Sequence, residues 1–172
     1  MREVPLSEQP VSFGEHLASS PLFATLFREG MALVEETAAY LDGPGRQQSK
    51  DLGRGPALAY ATESMRLTTR LMQLASWLLL HRSVREGDMT AERAREEKRK
   101  IKLEKLSTGG GGPGWDDLPE DFRALIGRSL LLQKRVERID AALLEDGQAE
   151  LADNPVSTQL RELAAALRVG EP

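Results

Sequence analysis

Two carboxylates stand side by side in the stretch GMALVEETAAYLDGPGR, residues 30–46: Glu35 and Glu36. Paired acids can share general acid–base work, provided that they converge on one reacting group. Here they sit in a run of helix formers that stops at Gly-Pro-Gly. Neighbours on a helix point about 100° apart. The pair therefore reads as the solvated side of a packing helix. The histidines offer no more, since there are only His16 and His81. Neither a second His nor an acid stands three or four residues from His81, so helical metal ligation of the HExxH or Glu-x-x-His kind is missing. GGGGPG, residues 109–114, meets the dinucleotide pattern G-x-G-x-x-G through composition alone. It contains Pro113 and follows no strand pattern. There is no G-K-[ST], no G-x-S-x-G and no cysteine. Phosphate-loop, serine-elbow and thiolate chemistry, together with Cys-ligated zinc, are thereby left without their residues. An enzyme built on buried acids would need Glu35, Glu63 or Glu137 to face inward, and none lies on an apolar stripe. The sequence gives no catalytic, cofactor-binding or metal-binding residue.

Two groupings bear on recognition instead. Lys98, Arg99, Lys100, Lys102 and Lys105 could neutralise phosphates. Glu92, Glu96, Glu97 and Glu104 interleave with them, no aromatic stands beside them, and the chain carries a net charge of −4. This is the pattern of a salt-laced solvated helix, and it argues against nucleic acid as a partner. The second grouping is the helical face Arg66, Arg70, Gln73, Trp77, His81 and Val84, with Leu80 nearby. It turns from polar to apolar at Trp77, and from Leu74 to Leu80 the helix is apolar nearly all round. Ile126 and Leu130 similarly lie off the main stripe of a later helix. Trp and Arg dominate protein–protein hot spots. These nine residues are the expected dimer or partner interface, with packing in the monomer core as the equal alternative for Trp77.

The elements that would position them are helical. The chain has 172 residues, 40% hydrophobic and 5% aromatic, which suits one all-α domain with a core of Leu, Ala, Val, Ile and Met. Residues 1–18 read as an arm. Ser20-Pro21 is an N-cap followed by Pro at the first helical position, and Phe23, Phe27, Val34 and Leu41 continue a stripe up to a left-handed stop at Gly43. After a Gly-rich loop over 43–55, Pro56 opens a long helix to about Glu86. It carries two apolar stripes: Leu58, Ala61, Met65, Met72, Ala75 and Leu79, and beside it Leu67, Leu71, Leu74 and Leu78. Thr90 caps a short charged helix through about Leu106, within a charged and Gly-rich linker over 87–114. A last long helix follows near Pro119, with Phe122, Leu125, Leu132, Val136, Ile139 and Leu143 as its stripe and Gly147 as its stop. The bundle domain is thus 19–147. The tail, 148–172, holds a short amphipathic helix whose Val156, Leu160, Leu163 and Leu167 keep one apolar face, either as a fourth bundle member or as a partner-docking element. The longest strongly apolar run, Leu74 to Leu80, is far shorter than the ~20 residues a membrane span needs. The N-terminus lacks a secretory signal pattern.

Three segments carry a family resemblance: GMALVEETAAYLDGPGR, ESMRLTTRLMQLASWLLLHRSVREGDMT and LPEDFRALIGRSLLLQKRVERID. In this order they resemble the alphaproteobacterial DUF1465 family. The resemblance implies an elongated antiparallel three-helix bundle that forms a homodimer. It further implies a cytoplasmic, non-enzymatic adaptor, recruited to a cell pole, that links cell-cycle regulators such as CtrA to the ClpXP protease with CpdR-like and PopA-like adaptors. The alternatives are a nucleic-acid-associated regulator using residues 98–105, and a helical dimerisation module with other clients.

Overall fold

The computed structural model describes residues 20–101 and 111–153, with side chains up to Glu145. The expected N-terminal arm, Lys102, Lys105 and the tail helix with Leu160, Leu163 and Leu167 lie outside the described residues. Within them every regular element is helical: α1 (Pro21–Asp42), α2 (Pro44–Gln48), a 3-10 turn (Ser49–Asp51), α3 (Arg54–Arg85), α4 (Ala91–Lys98) and α5 (Glu120–Asp153). No helix among the described residues is long and apolar enough to cross a membrane.

Local chemistry sets most of the boundaries. Ser20 has extended backbone and its hydroxyl accepts from the Phe23 N–H at 3.4 Å, with Pro21 following as expected. Gly43 ends α1, its N–H donating to the carbonyls of Ala39 and Tyr40. It does so at φ −110°, not in the left-handed conformation, and Pro44 at once starts the five-residue α2. The loop expected over 43–55 is thus largely helical. Thr90 caps α4, its hydroxyl accepting from the Arg93 N–H. That helix ends at Lys98, well short of Leu106, because a charged segment with one buried residue has little packing to extend it. Gly147 does not stop α5, which runs on to Asp153; glycine inside a helix costs only about 1 kcal/mol.

The three long helices contact one another pairwise. Their directions follow from the pairs between them. Glu36 meets Arg128 at 2.7 Å and Glu29 meets Arg135, so α1 and α5 are antiparallel. The Arg82 guanidinium covers the Phe27 ring at 4.9 Å, while Tyr40 and Tyr60 both pack on Phe122 at the other end; α1 and α3 are antiparallel too. Tyr60 meets Phe122, Arg70 meets Ser129 and Gln133, and Trp77 meets Asp140. Hence α3 and α5 run parallel. The expected antiparallel arrangement therefore holds for α1 against the other two and fails between α3 and α5. The chain turns back between them: α4 lies at the Trp77 end, whereas Gly114 sits against Pro56 at the opposite end.

The core lies along the common axis of these helices, around Leu26, Leu33, Leu67, Leu74, Leu78, Phe122, Ile126 and Val136. Burial of each such side chain stabilises the fold by roughly 1.5–3 kcal/mol before entropy is counted. Of the two stripes on α3, it is the one containing Leu67, Leu71, Leu74 and Leu78 that faces inward.

Candidate docking surface

Of the nine residues expected to meet a partner, the chain itself buries four. Trp77 and Ile126 are fully buried, Arg70 and Leu80 are buried, and Arg66, Gln73, His81, Val84 and Leu130 are half-buried. The surplus apolar surface inferred around Trp77 is covered by α5, which runs alongside α3, and by α4 across its end. Trp77 packs against Phe23 with ring centroids 6.4 Å apart and against His81 at 4.1 Å, and its Nε1 donates to Asp140 Oδ1 at 2.8 Å. Lys98 Nζ reaches the same Asp140 oxygen at 2.5 Å. Burial, aided by the Lys98 charge and opposed by Asp140, pushes His81 down to about 4, so this imidazole is neutral at pH 7. Arg70 fixes the register of α3 against α5. Its Nε donates to Gln133 Oε1 and its Nη1 to Ser129 Oγ, each at 3.0 Å. Ser129 in turn donates to the Ile126 carbonyl, and Gln133 Nε2 to Glu137 Oε1.

The surface that stays open is the other stripe of α3. Leu58, Met65, Met72 and Leu79 are 71%, 69%, 64% and 48% exposed, and they recur every seventh residue. Seven residues fall about 20° short of two helical turns, so the row stays nearly straight with a slight left-handed drift. Four residues beyond each of the first three stands a hydroxyl that turns back onto the helix. Thr62 donates to the Leu58 carbonyl at 2.9 Å, Thr69 to that of Met65 at 2.8 Å and Ser76 to that of Met72 at 2.8 Å. Such back-bonding occupies the hydroxyl hydrogen and leaves methyl and methylene groups outward. Between Gly55 and His81 the charged residues are Glu63, Arg66 and Arg70 alone. Glu63 and Arg70 are buried, and Arg66 pairs with Glu63 at 2.7 Å on the flank. The face is therefore long, apolar and free of charge, with small Ala61 and Ala75 between the large side chains. An apolar row of this length on an otherwise charged surface marks an interaction site, and its spacing is that of a coiled-coil seam. The seven-residue interval and the i+4 hydroxyls were both present in the sequence.

The acids do not gather. Glu35 is exposed, Glu36 is paired with Arg128, and Glu137 accepts from Gln133. Among the described residues no group of three or more His, Asp or Glu could hold a metal ion. In the basic segment, Lys98 is engaged by Asp140, and Lys100 by Glu97 at 2.8 Å. The Lys100 hydrogen bond holds the Glu97 carboxyl below its usual range.

The model of the family described as "Protein of unknown function (DUF1465)" matches residues 14–167. Among solved structures, the chain is similar to RcdA from Caulobacter crescentus CB15, at 50% identity and a TM-score of 0.61, over 75% of this chain and 96% of that one. None of the curated proteins matches.

Proposed function

The chain belongs to the DUF1465 family, and from that premise we propose that it is a non-enzymatic adaptor, a three-helix scaffold that brings cell-cycle regulators to the ClpXP protease. CpdR-like and PopA-like adaptors are its immediate partners in this reading, and a CtrA-like regulator its client. The scaffold works as a homodimer, joined through the Leu58–Met65–Met72–Leu79 face of α3, with Arg66 and Gln73 on its flank. That face carries the proposal: it is built for protein contact. The likeness to RcdA supports the regulatory role.

Reconstitution tests it. Protease, a CpdR-like adaptor and a CtrA-like client are combined with and without this protein, and each component is used as bait in a pull-down. Faster client degradation and retention of the CpdR-like adaptor are expected. No retention together with an unchanged degradation rate overturns the adaptor assignment. A salt-sensitive DNA shift in its place would favour the regulator that binds through residues 98–105.

A further inference from the structure

At the Trp77 end of the molecule, α4 lies over the last turns of α3 with little of its own to hold it. Six of its eight residues are charged and Ala94 alone is buried. Its anchor is Lys98, whose ammonium meets Asp140 on α5, both side chains largely shielded from water. The turn into it passes through Gly87 at φ +79°, a conformation that favours glycine. Between α3 and α4 lies an open cleft of about 550 Å³, with Leu80, Met89 and Ile101 on its apolar wall and Arg93, Glu97 and Lys100 on the charged one. Leu80 is 9% exposed beneath this cover, and Ser76, on the rim, belongs also to the open face of α3.

We propose that α4 is a detachable cover, clipped by the Lys98–Asp140 pair, which mild acid releases to uncover Leu80 as an extension of the α3 face assigned to the second copy. The clip and the acid sensor share one cluster. Asp140 accepts from both Lys98 and Trp77, and His81 stacks on Trp77 with its Nε2 buried and without a partner. The charges facing His81 are Asp140 from α5 and Lys98 from α4. With α4 seated, the imidazole stays neutral down to about 4; released into water it would titrate near its ordinary 6.5. Between those values the open form binds a proton that the closed form refuses, so closure weakens as pH falls and is at full strength above 6.5. From pH 7 to pH 5.5 the open-to-closed ratio rises roughly eightfold. Segments with few buried contacts open first, and α4 has the fewest among the helices of eight residues or more.

Hydrogen exchange read by mass spectrometry on the full chain tests this, with rates corrected for intrinsic pH dependence. Peptides covering residues 90–101 should lose roughly eightfold in protection between pH 7 and pH 5.5, while the α1 and α3 cores keep theirs. Lys98→Met should cut protection of the same peptides roughly fivefold at pH 7. His81→Phe should leave it unchanged at pH 7 and flatten the pH response, with His81→Gln as the substitute if circular dichroism shows the larger ring disturbing the helices. Protection over 90–101 that is indifferent to pH or to Lys98→Met overturns the proposal. A full pH response persisting without His81 does the same. The proposal places the cover beside the face assigned above, but exchange is read on the protein alone, so loss of the adaptor function would leave this result standing, and the reverse.

Discussion

At Gly45 the space for a side chain is already taken. A Cβ there would lie 2.5 Å from Tyr40 Cε1 and 2.7 Å from Tyr60 Oη, the rings that clasp Phe122. Gly45→Ala should therefore destabilise by about 1–3 kcal/mol in a denaturant titration. Gly53→Ala, with nothing within 4 Å, should change little. Arg70 poses the opposite problem, a cation with almost no exposure. Burial lowers its pKa, yet not enough to discharge a guanidinium. Arg70→Ala would leave a cavity and strip Ser129 and Gln133 of their donor, a loss on the order of 3–5 kcal/mol by the same titration. Sequence alone could not place this residue, because its partners stand 59 and 63 positions away. Trp77 is ambiguous in the sequence for a related reason. Its polar face companions suggested an edge, but Asp140, which satisfies its N–H, lies 63 residues on. Trp77→Glu should consequently unfold the protein, seen as loss of the helical dichroism, and should not yield a folded half-mass species.

Elements announce themselves where a cap or a proline does the work. Ser20-Pro21 and Thr90 gave the starts of α1 and α4 to the residue, since an N-cap hydroxyl is a local device that needs no tertiary partner. Ser20→Ala should cost about 1 kcal/mol, visible as a lowered Tm. The ends were harder. Gly147 resembles a stop, but a glycine permits a helix end without imposing one, and α5 continues through it. The two stripes of α3 were both legible, and their facing was not. Each is apolar and each has helical spacing, so periodicity cannot say which one is the core. The difference lay in the companions: branched leucines pack inward, whereas the methionine-bearing row is interleaved with Thr62, Thr69 and Ser76, whose hydroxyls bond back to α3.

For the molecule as a whole, the homodimer proposed above would form without charge. Met65→Glu combined with Met72→Glu should leave a folded helical protein of half the mass in light scattering, because both side chains point to water in the protomer. An unchanged mass would remove the α3 face from the interface. Association of the unmodified chain should hold or strengthen as salt is raised, since no ion pair on that face is there to be screened. The parallel course of α3 and α5 reaches further still. A simple up-down-up bundle zips from neighbouring turns, each helix finding the one just made. Here Trp77 must find Asp140 across 63 residues, and Arg135 must find Glu29 across 106. Such a chain spends loop-closure entropy before the contacts that reward it exist, which raises contact order and slows folding. Stopped-flow refolding should accordingly run in the range of mixed α/β domains, behind local helical hairpins of equal size.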